Sequence, residues 1–155
     1  MRRLLQTRRR RAPSIQPQDD IALSCRIRLA RNLEGVKFPD WNDEAGHFHV
    51  IETIARAVRD LLKTSPGPVR VLLETTAGQG ASLGWRFEHL AEMIHRCGRT
   101  ARVGVCIDTA HVFAAGYDIR TAEAYEQTMS QFERIVGLDR LRAVHVNDST
   151  RELGS

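Results

Sequence analysis

Glu74, Asp108, His111 and His145 are the residues of this sequence whose types and spacing could do chemistry together. Glu74 follows Val71-Leu72-Leu73, Asp108 follows Val105-Cys106-Ile107 with His111 three residues later, and His145 follows Arg142-Ala143-Val144. The steps from Glu74 to Asp108 and from Asp108 to His145 are 34 and 37 residues, each close to one strand–helix repeat. At the carboxyl ends of neighbouring parallel strands such residues converge on one face, where α/β proteins build their active sites. Neutral imidazole and carboxylate oxygen are both good zinc ligands, and a carboxylate can bridge two ions. Metal ions bridged in this way can clamp the attacking and leaving oxygens of a phosphodiester displacement. The same residues could instead cap helices or satisfy buried backbone groups. For three of them at equivalent strand ends, residue type and spacing leave both readings open.

The elements that must position them follow from periodicity. Val50, Ile51, Ile54, Ala55, Val58, Leu61 and Leu62 repeat at helical spacing, and Pro66-Gly67-Pro68 stops that helix. Val69 to Leu73 then reads as a buried strand, Trp85 to Arg96 as a helix and Val103 to Ile107 as a second strand. Thr121 caps a helix running to about Val136, and Leu141 to Val146 is a third strand. Strands that are continuously apolar and alternate with helices imply an α/β fold with a parallel sheet covered on both faces.

Composition limits the alternatives. No run approaches the roughly 18 apolar residues of a membrane span, so a cytoplasmic protein is expected. Three cysteines without a C-x-x-C spacing argue against a disulfide framework or a thiolate zinc site, and Cys106 reads as a small core residue. The net charge of +4 is carried by six arginines before Ala12, which leaves the rest of the chain at −2. Residues 1–18 therefore read as a disordered basic tail, with loose phosphate binding as its alternative role.

Three long motifs resemble the endonuclease IV family. They are Leu73-Glu74-Thr75-Thr76-Ala77-Gly78-Gln79-Gly80 with Leu83 to Leu90, Val103 to His111 with Ala114 to Asp118, and His145-Val146-Asn147-Asp148-Ser149. The resemblance implies a TIM barrel, about three of whose eight strands lie here. It also implies zinc-dependent cleavage of double-stranded DNA 5′ to an abasic site, with the damaged nucleotide flipped out of the duplex. On that resemblance Glu74, Asp108 and His145 are the candidate catalytic residues, and Glu74, Asp108, His111 and His145 the candidate metal ligands. Glu74 would bridge two zincs, Asp108 and His145 would share the second, and His111 would serve the third. Gly78 and Gly80 would let the backbone pass close to the site. Asn147 and Asp148 would be neighbours of the ligands or loop residues, and His89 a surface or core histidine.

These are four of the nine ligands the family uses, so one weak zinc site is expected rather than a full trinuclear centre. The runner-up is a catalytically inactive metal-binding fragment or fusion product, and self-association through open sheet edges is expected.

A second, shorter resemblance lies upstream. Asp20 to Leu33, continuing through Gly35 to Pro39, is similar to the bacterial protein-arginine kinases of the guanidino kinase family. It implies that Ser24, Arg26 and Arg28 grip nucleotide phosphates, with Cys25 departing from the family's serine. The expected organisation is a tail over 1–18, a guanidino-kinase-like segment over 19–49 with a junction between Asp40 and Val50, and a partial barrel over 50–155. Nucleotide binding through the front segment is the least favoured function.

Overall fold

The computed structural model describes residues 22–25, 44–65, 67–78 and 83–155. The tail expected over residues 1–18, Arg26, Arg28 and Gly80 lie outside the described residues. Strand β1 is Ala22–Cys25, followed by helix α1, Glu44–Thr64. Then come β2, Arg70–Glu74, α2, Phe87–Arg96, and β3, Val103–Asp108. Helices α3, Thr109–Ala114, and α4, Ala122–Ile135, precede a single 3-10 turn, Leu138–Arg140, and β4, Leu141–His145.

The three expected strands are β2, β3 and β4, and the four-stranded sheet runs β1-β2-β3-β4 with every pairing parallel. Two features lie inside residues 19–49, ahead of the expected partial barrel. Residues 22–25 add an edge strand beside β2, and α1 begins at Glu44, before the expected Val50. The apolar repeat marks where α1 is buried, and the sequence ahead of Val50 carries little of it, so periodicity places the start late.

Alternation along the strands divides the sheet into two faces. Val71 and Leu73 of β2 and Val103, Val105 and Ile107 of β3 join one hydrophobic core with Ile51, Ile54 and Val58 of α1, Leu90 and Ile94 of α2, and Phe132 of α4. The helices therefore gather on one face, where the apolar strands suggest cover on both. Leu72, Glu74, Gly104, Cys106 and Asp108 occupy the other face. At the β4 edge the helix-side residue Val144 stays half-exposed and Val146 almost fully so.

An aromatic cluster ties α2, the chain after α3 and α4 together. Phe87 stacks on Tyr117 with ring centroids 4.0 Å apart and meets Phe132 edge-on at 5.2 Å. The Tyr117 hydroxyl accepts a hydrogen bond from the Phe87 N–H at 3.2 Å, filling one of the donors that open α2, where Arg86 supplies no side-chain cap. Burial raises the Tyr117 phenol above its ordinary pKa, so this acceptor stays neutral. Thr121 caps α4 as expected, its hydroxyl accepting from the Ala124 N–H.

Arginine forks hold the loops at the opposite end of the strands. Arg102 donates to the carbonyls of Val69, Leu62 and Ser65, tying the last turn of α1 to the start of β2. A planar guanidinium can serve several carbonyls left open by one helix end.

The pairing of β3 with β4 is irregular. Val105 lies opposite Leu141 but Cys106 lies opposite Ala143, so Arg142 is an extra residue on β4. Gly104 makes room for it: a β-carbon there would sit 2.6 Å from Arg142 Cγ, 3.0 Å from Leu72 Cδ2 and 3.1 Å from the Arg140 carbonyl oxygen. The contact involves the base of the arginine stem and a backbone oxygen, which give way poorly. Gly104→Ala is expected to destabilise the fold by about 1–3 kcal/mol. A urea unfolding midpoint equal to the parent's would show that β4 adjusts freely.

Candidate metal centre

Glu74, Asp108 and His145 are the last residues of β2, β3 and β4, and Asp108 lies directly opposite His145 in the parallel register. Glu74 is paired with Cys106, two residues before Asp108, so alternation sends all three side chains to the face away from the helices. His145 Nδ1 is 3.1 Å from Glu74 Oε1 and 4.0 Å from Asp108 Oδ2. His111, on the first turn of α3, brings Nδ1 to 3.8 Å from Glu74 Oε1 and 3.7 Å from Asp108 Oδ2. All four sequence-designated residues thus meet in one cluster. Glu74 and Asp108 are buried, while the His145 side chain is 43% exposed and opens the cluster to solvent.

The surrounding hydrogen bonds fix these side chains. Asp108 caps α3, its Oδ1 accepting from the His111 N–H at 3.1 Å, which turns the chain so that His111 comes back over the carboxylate. Thr75, buried just past β2, acts twice: its hydroxyl accepts from the Asp108 N–H at 2.9 Å, and its carbonyl oxygen lies 2.8 Å from His111 Nδ1. A carbonyl only accepts, so Nδ1 carries the proton there and Nε2 is the nitrogen with a free lone pair. Asn147 Nδ2 donates to Asp108 Oδ2 at 2.7 Å.

The residues present fit a bound cation. Glu74, Asp108 and His111 offer ligand atoms that all lie within 4.8 Å of one another. Two donors on one tetrahedral zinc, each at about 2.0–2.2 Å, stand roughly 3.3–3.6 Å apart. The 3.1 Å from His145 Nδ1 to Glu74 Oε1 and the 4.0 Å to Asp108 Oδ2 lie on either side of that range. Buried carboxylates facing imidazoles are also the donor set that a divalent ion satisfies.

The remaining designated residues have structural places. His89 is a core histidine: Nδ1 accepts from the Gly84 N–H at 3.3 Å, and the ring meets Trp85 edge-on. Gly78 adopts φ +77°, and a β-carbon there would touch the Trp85 ring at 3.0 Å, so its freedom serves the packing of Trp85. Asp148 is exposed and its Oδ1 accepts from the Ser149 N–H, a local turn contact. Cys106 is buried as expected, and burial with the nearby Glu74 charge pushes its thiol up to about 11. It is therefore a neutral buried thiol at physiological pH.

Thr75, Thr109 and the short helix α3 are the parts that motif spacing alone does not disclose. Asp108 in front of Thr109-Ala110-His111 is a helix N-cap signal, and it is the one local mark of α3. No comparable signal marks Thr75 or Thr109, whose partners lie 33 to 38 residues away.

The sequence matches the family model for the xylose isomerase-like TIM barrel over residues 7–155, a span that includes the segment similar to guanidino kinases. It is 48% identical over 113 residues to a probable endonuclease 4 of Chloroflexus aggregans, covering 73% of this chain and 38% of that protein. A probable endonuclease 4 of Chloroflexus aurantiacus is also 48% identical over 113 residues, with 39% of its length covered. Endonuclease IV from Thermus thermophilus superposes with a TM-score of 0.56 at 39% identity, over 70% of this chain and 37% of that one. The chain thus spans under two-fifths of the length of these relatives, and its sheet and helices form a partial barrel. It belongs to the xylose isomerase-like TIM-barrel family, where it resembles endonuclease IV.

Proposed function

We propose that this chain carries the zinc-holding part of an endonuclease IV-like DNA repair nuclease, one that hydrolyses a phosphodiester at abasic sites in double-stranded DNA. The observation that carries the proposal is the meeting of Glu74, Asp108 and His145 at the ends of three successive parallel strands, with His111 beside them. In this reading Glu74 is the central ligand, because both histidines approach the same oxygen, Oε1. Asp108 supplies a second, rigidly held carboxylate. His145, at the solvent side, faces incoming substrate, and His111 presents the nitrogen that Thr75 leaves free. Zinc held by these side chains supplies Lewis acidity at the scissile phosphate.

Organisation and partners belong to the same proposal. Residues 50–155 form the nuclease-like part, with residues 1–18 and 19–49 as a basic tail and a kinase-like segment. No helix among the described residues is long and apolar enough to cross a membrane. A bacterial cytoplasmic setting suits an enzyme acting on DNA. The exposed Val144 and Val146 at the β4 edge favour self-association of this chain.

One observation favours a second reading, a metal-binding piece without catalysis: the cluster holds four donors among the described residues, fewer than the nine that the resemblance implies. Incision of a duplex carrying one abasic site, with and without zinc, separates the two. Zinc-dependent cutting that disappears in Glu74→Ala is the expected result. Zinc bound by the chain with the duplex left intact would overturn the nuclease reading and leave the second.

A further inference from the structure

The Asp108 carboxylate is 1% exposed, and a carboxylate this buried needs donors around it. Its two oxygens are treated differently. Oδ1 accepts the His111 N–H, which is the cap of α3. Oδ2 is the oxygen that faces His111 Nδ1 at 3.7 Å and His145 Nδ1 at 4.0 Å, and it also receives Asn147 Nδ2 at 2.7 Å. An ionised carboxylate only accepts, so the amide must turn its NH2 group inward here. One lone pair of Oδ2 is thereby occupied, and the carboxylate plane is held against rotation with its other lone pair turned to the cluster.

Asn147 itself is exposed and lies two residues beyond β4, where nothing in the strand pairing would hold it. Thr109 does so. Its hydroxyl accepts from the Asn147 N–H at 2.8 Å and donates to the Asn147 carbonyl at 2.6 Å. The β3 backbone leaves the sheet at Thr109 to begin α3, and this one hydroxyl stands in for the missing ladder partner. Both polar groups of the Asn147 backbone are satisfied by it, so the amide reaches Asp108 from a fixed position.

We infer that Asn147, clamped by Thr109, is a positioning residue that aims the Asp108 carboxylate at the metal. The inference rests on the metal-centre reading above, and it adds two residues that bind nothing themselves. Removing such an outer partner typically weakens metal affinity by about 10–100-fold.

The test is a titration of the full chain with cobalt(II) chloride, read by the visible ligand-field spectrum, with affinity measured by competition against a chelator. Asn147→Ala is expected to weaken cobalt binding by about 10-fold or more and to alter the intensity of the bands. The same result is expected for Thr109→Val, which keeps the shape of the side chain and removes the hydroxyl. Thr109→Ser, which restores the hydroxyl, is expected to recover parental affinity and spectrum. A loss caused by altered packing of the side chain, and not by the missing hydroxyl, would not be rescued by serine, and the Thr109 pair serves equally if Asn147→Ala does not fold. Parental binding with unchanged spectra in both Asn147→Ala and Thr109→Val would overturn the clamp alone. Failure of the parent chain to bind cobalt would overturn the metal centre, and the clamp with it.

Discussion

Glu74→Gln is expected to lower zinc affinity by more than about 100-fold, beyond the range that losing an outer partner produces, and to remove zinc-dependent incision. Glutamine keeps the size and the trigonal head of the side chain and removes its charge. The effect is large because Glu74 Oε1 is the atom that both imidazoles approach, His145 at 3.1 Å and His111 at 3.8 Å. With a neutral amide there, Asp108 becomes the one carboxylate left in the group, and an amide oxygen is a far weaker zinc ligand than a carboxylate. Chelator competition on the folded variant gives the number directly. Folding of the metal-free chain should not suffer, since burying an amide costs less than burying a carboxylate. Parental zinc affinity in Glu74→Gln would sink the central role given to this residue.

Phe132→Ala carries the largest expected cost to stability. The ring is fully buried, it meets Phe87 edge-on, and through Phe87 it supports the stack on Tyr117 that closes the start of α2. Truncating a buried phenylalanine costs about 3–5 kcal/mol, because apolar contact is lost and a cavity remains. A domain holds only about 5–15 kcal/mol in all, so this one change takes a large part of it. The neighbouring Tyr125, more than half exposed on the same helix, provides the comparison. Tyr125→Ala should fall within about 0.5 kcal/mol of the parent, as surface changes usually do. Urea unfolding of the three proteins checks this, and a Phe132→Ala midpoint near that of Tyr125→Ala would show that the aromatic cluster is not the support described.

What can be read from the sequence follows from which interactions are local. The strands β2, β3 and β4 declare themselves as apolar runs, and their last residues announce Glu74, Asp108 and His145 as a set. The start of α4 is legible because Thr121 carries its own capping chemistry. By contrast, the four residues of β1 are too few to show a period, and their strand character depends on the neighbour they pair with. The one-sided placement of the helices is not legible, because a strand inside a closing sheet is apolar on both faces whether helices or other strands cover it. Thr75, Thr109 and Asn147 are hidden for a related reason. Their hydrogen bonds join residues more than thirty positions apart, and only the register of the sheet decides that they meet. The motif around Glu74 includes Thr75, yet nothing about a threonine there says that its carbonyl will set the tautomer of a distant histidine.

The extra residue Arg142 has a consequence for the site that its own position does not suggest. In a strand, parity decides which side of the sheet a residue faces, and a one-residue slip reverses every side chain beyond it. Were Arg142 drawn into the ladder opposite Cys106, Asp108 would meet Val144, and His145 would point at the helices. Ejecting Arg142 from the count keeps the strand in phase, so the imidazole arrives on the side where the carboxylates wait. The gap at Gly104 that admits the arginine stem is therefore also what lets β4 hold that phase. The irregularity works as slack in the strand, and the slack has room for one residue. Deleting Arg142 leaves Ala143 opposite Cys106 and His145 opposite Asp108. Adding a residue beyond Ala143 instead turns the imidazole away, with all four candidate ligand residues still in the sequence.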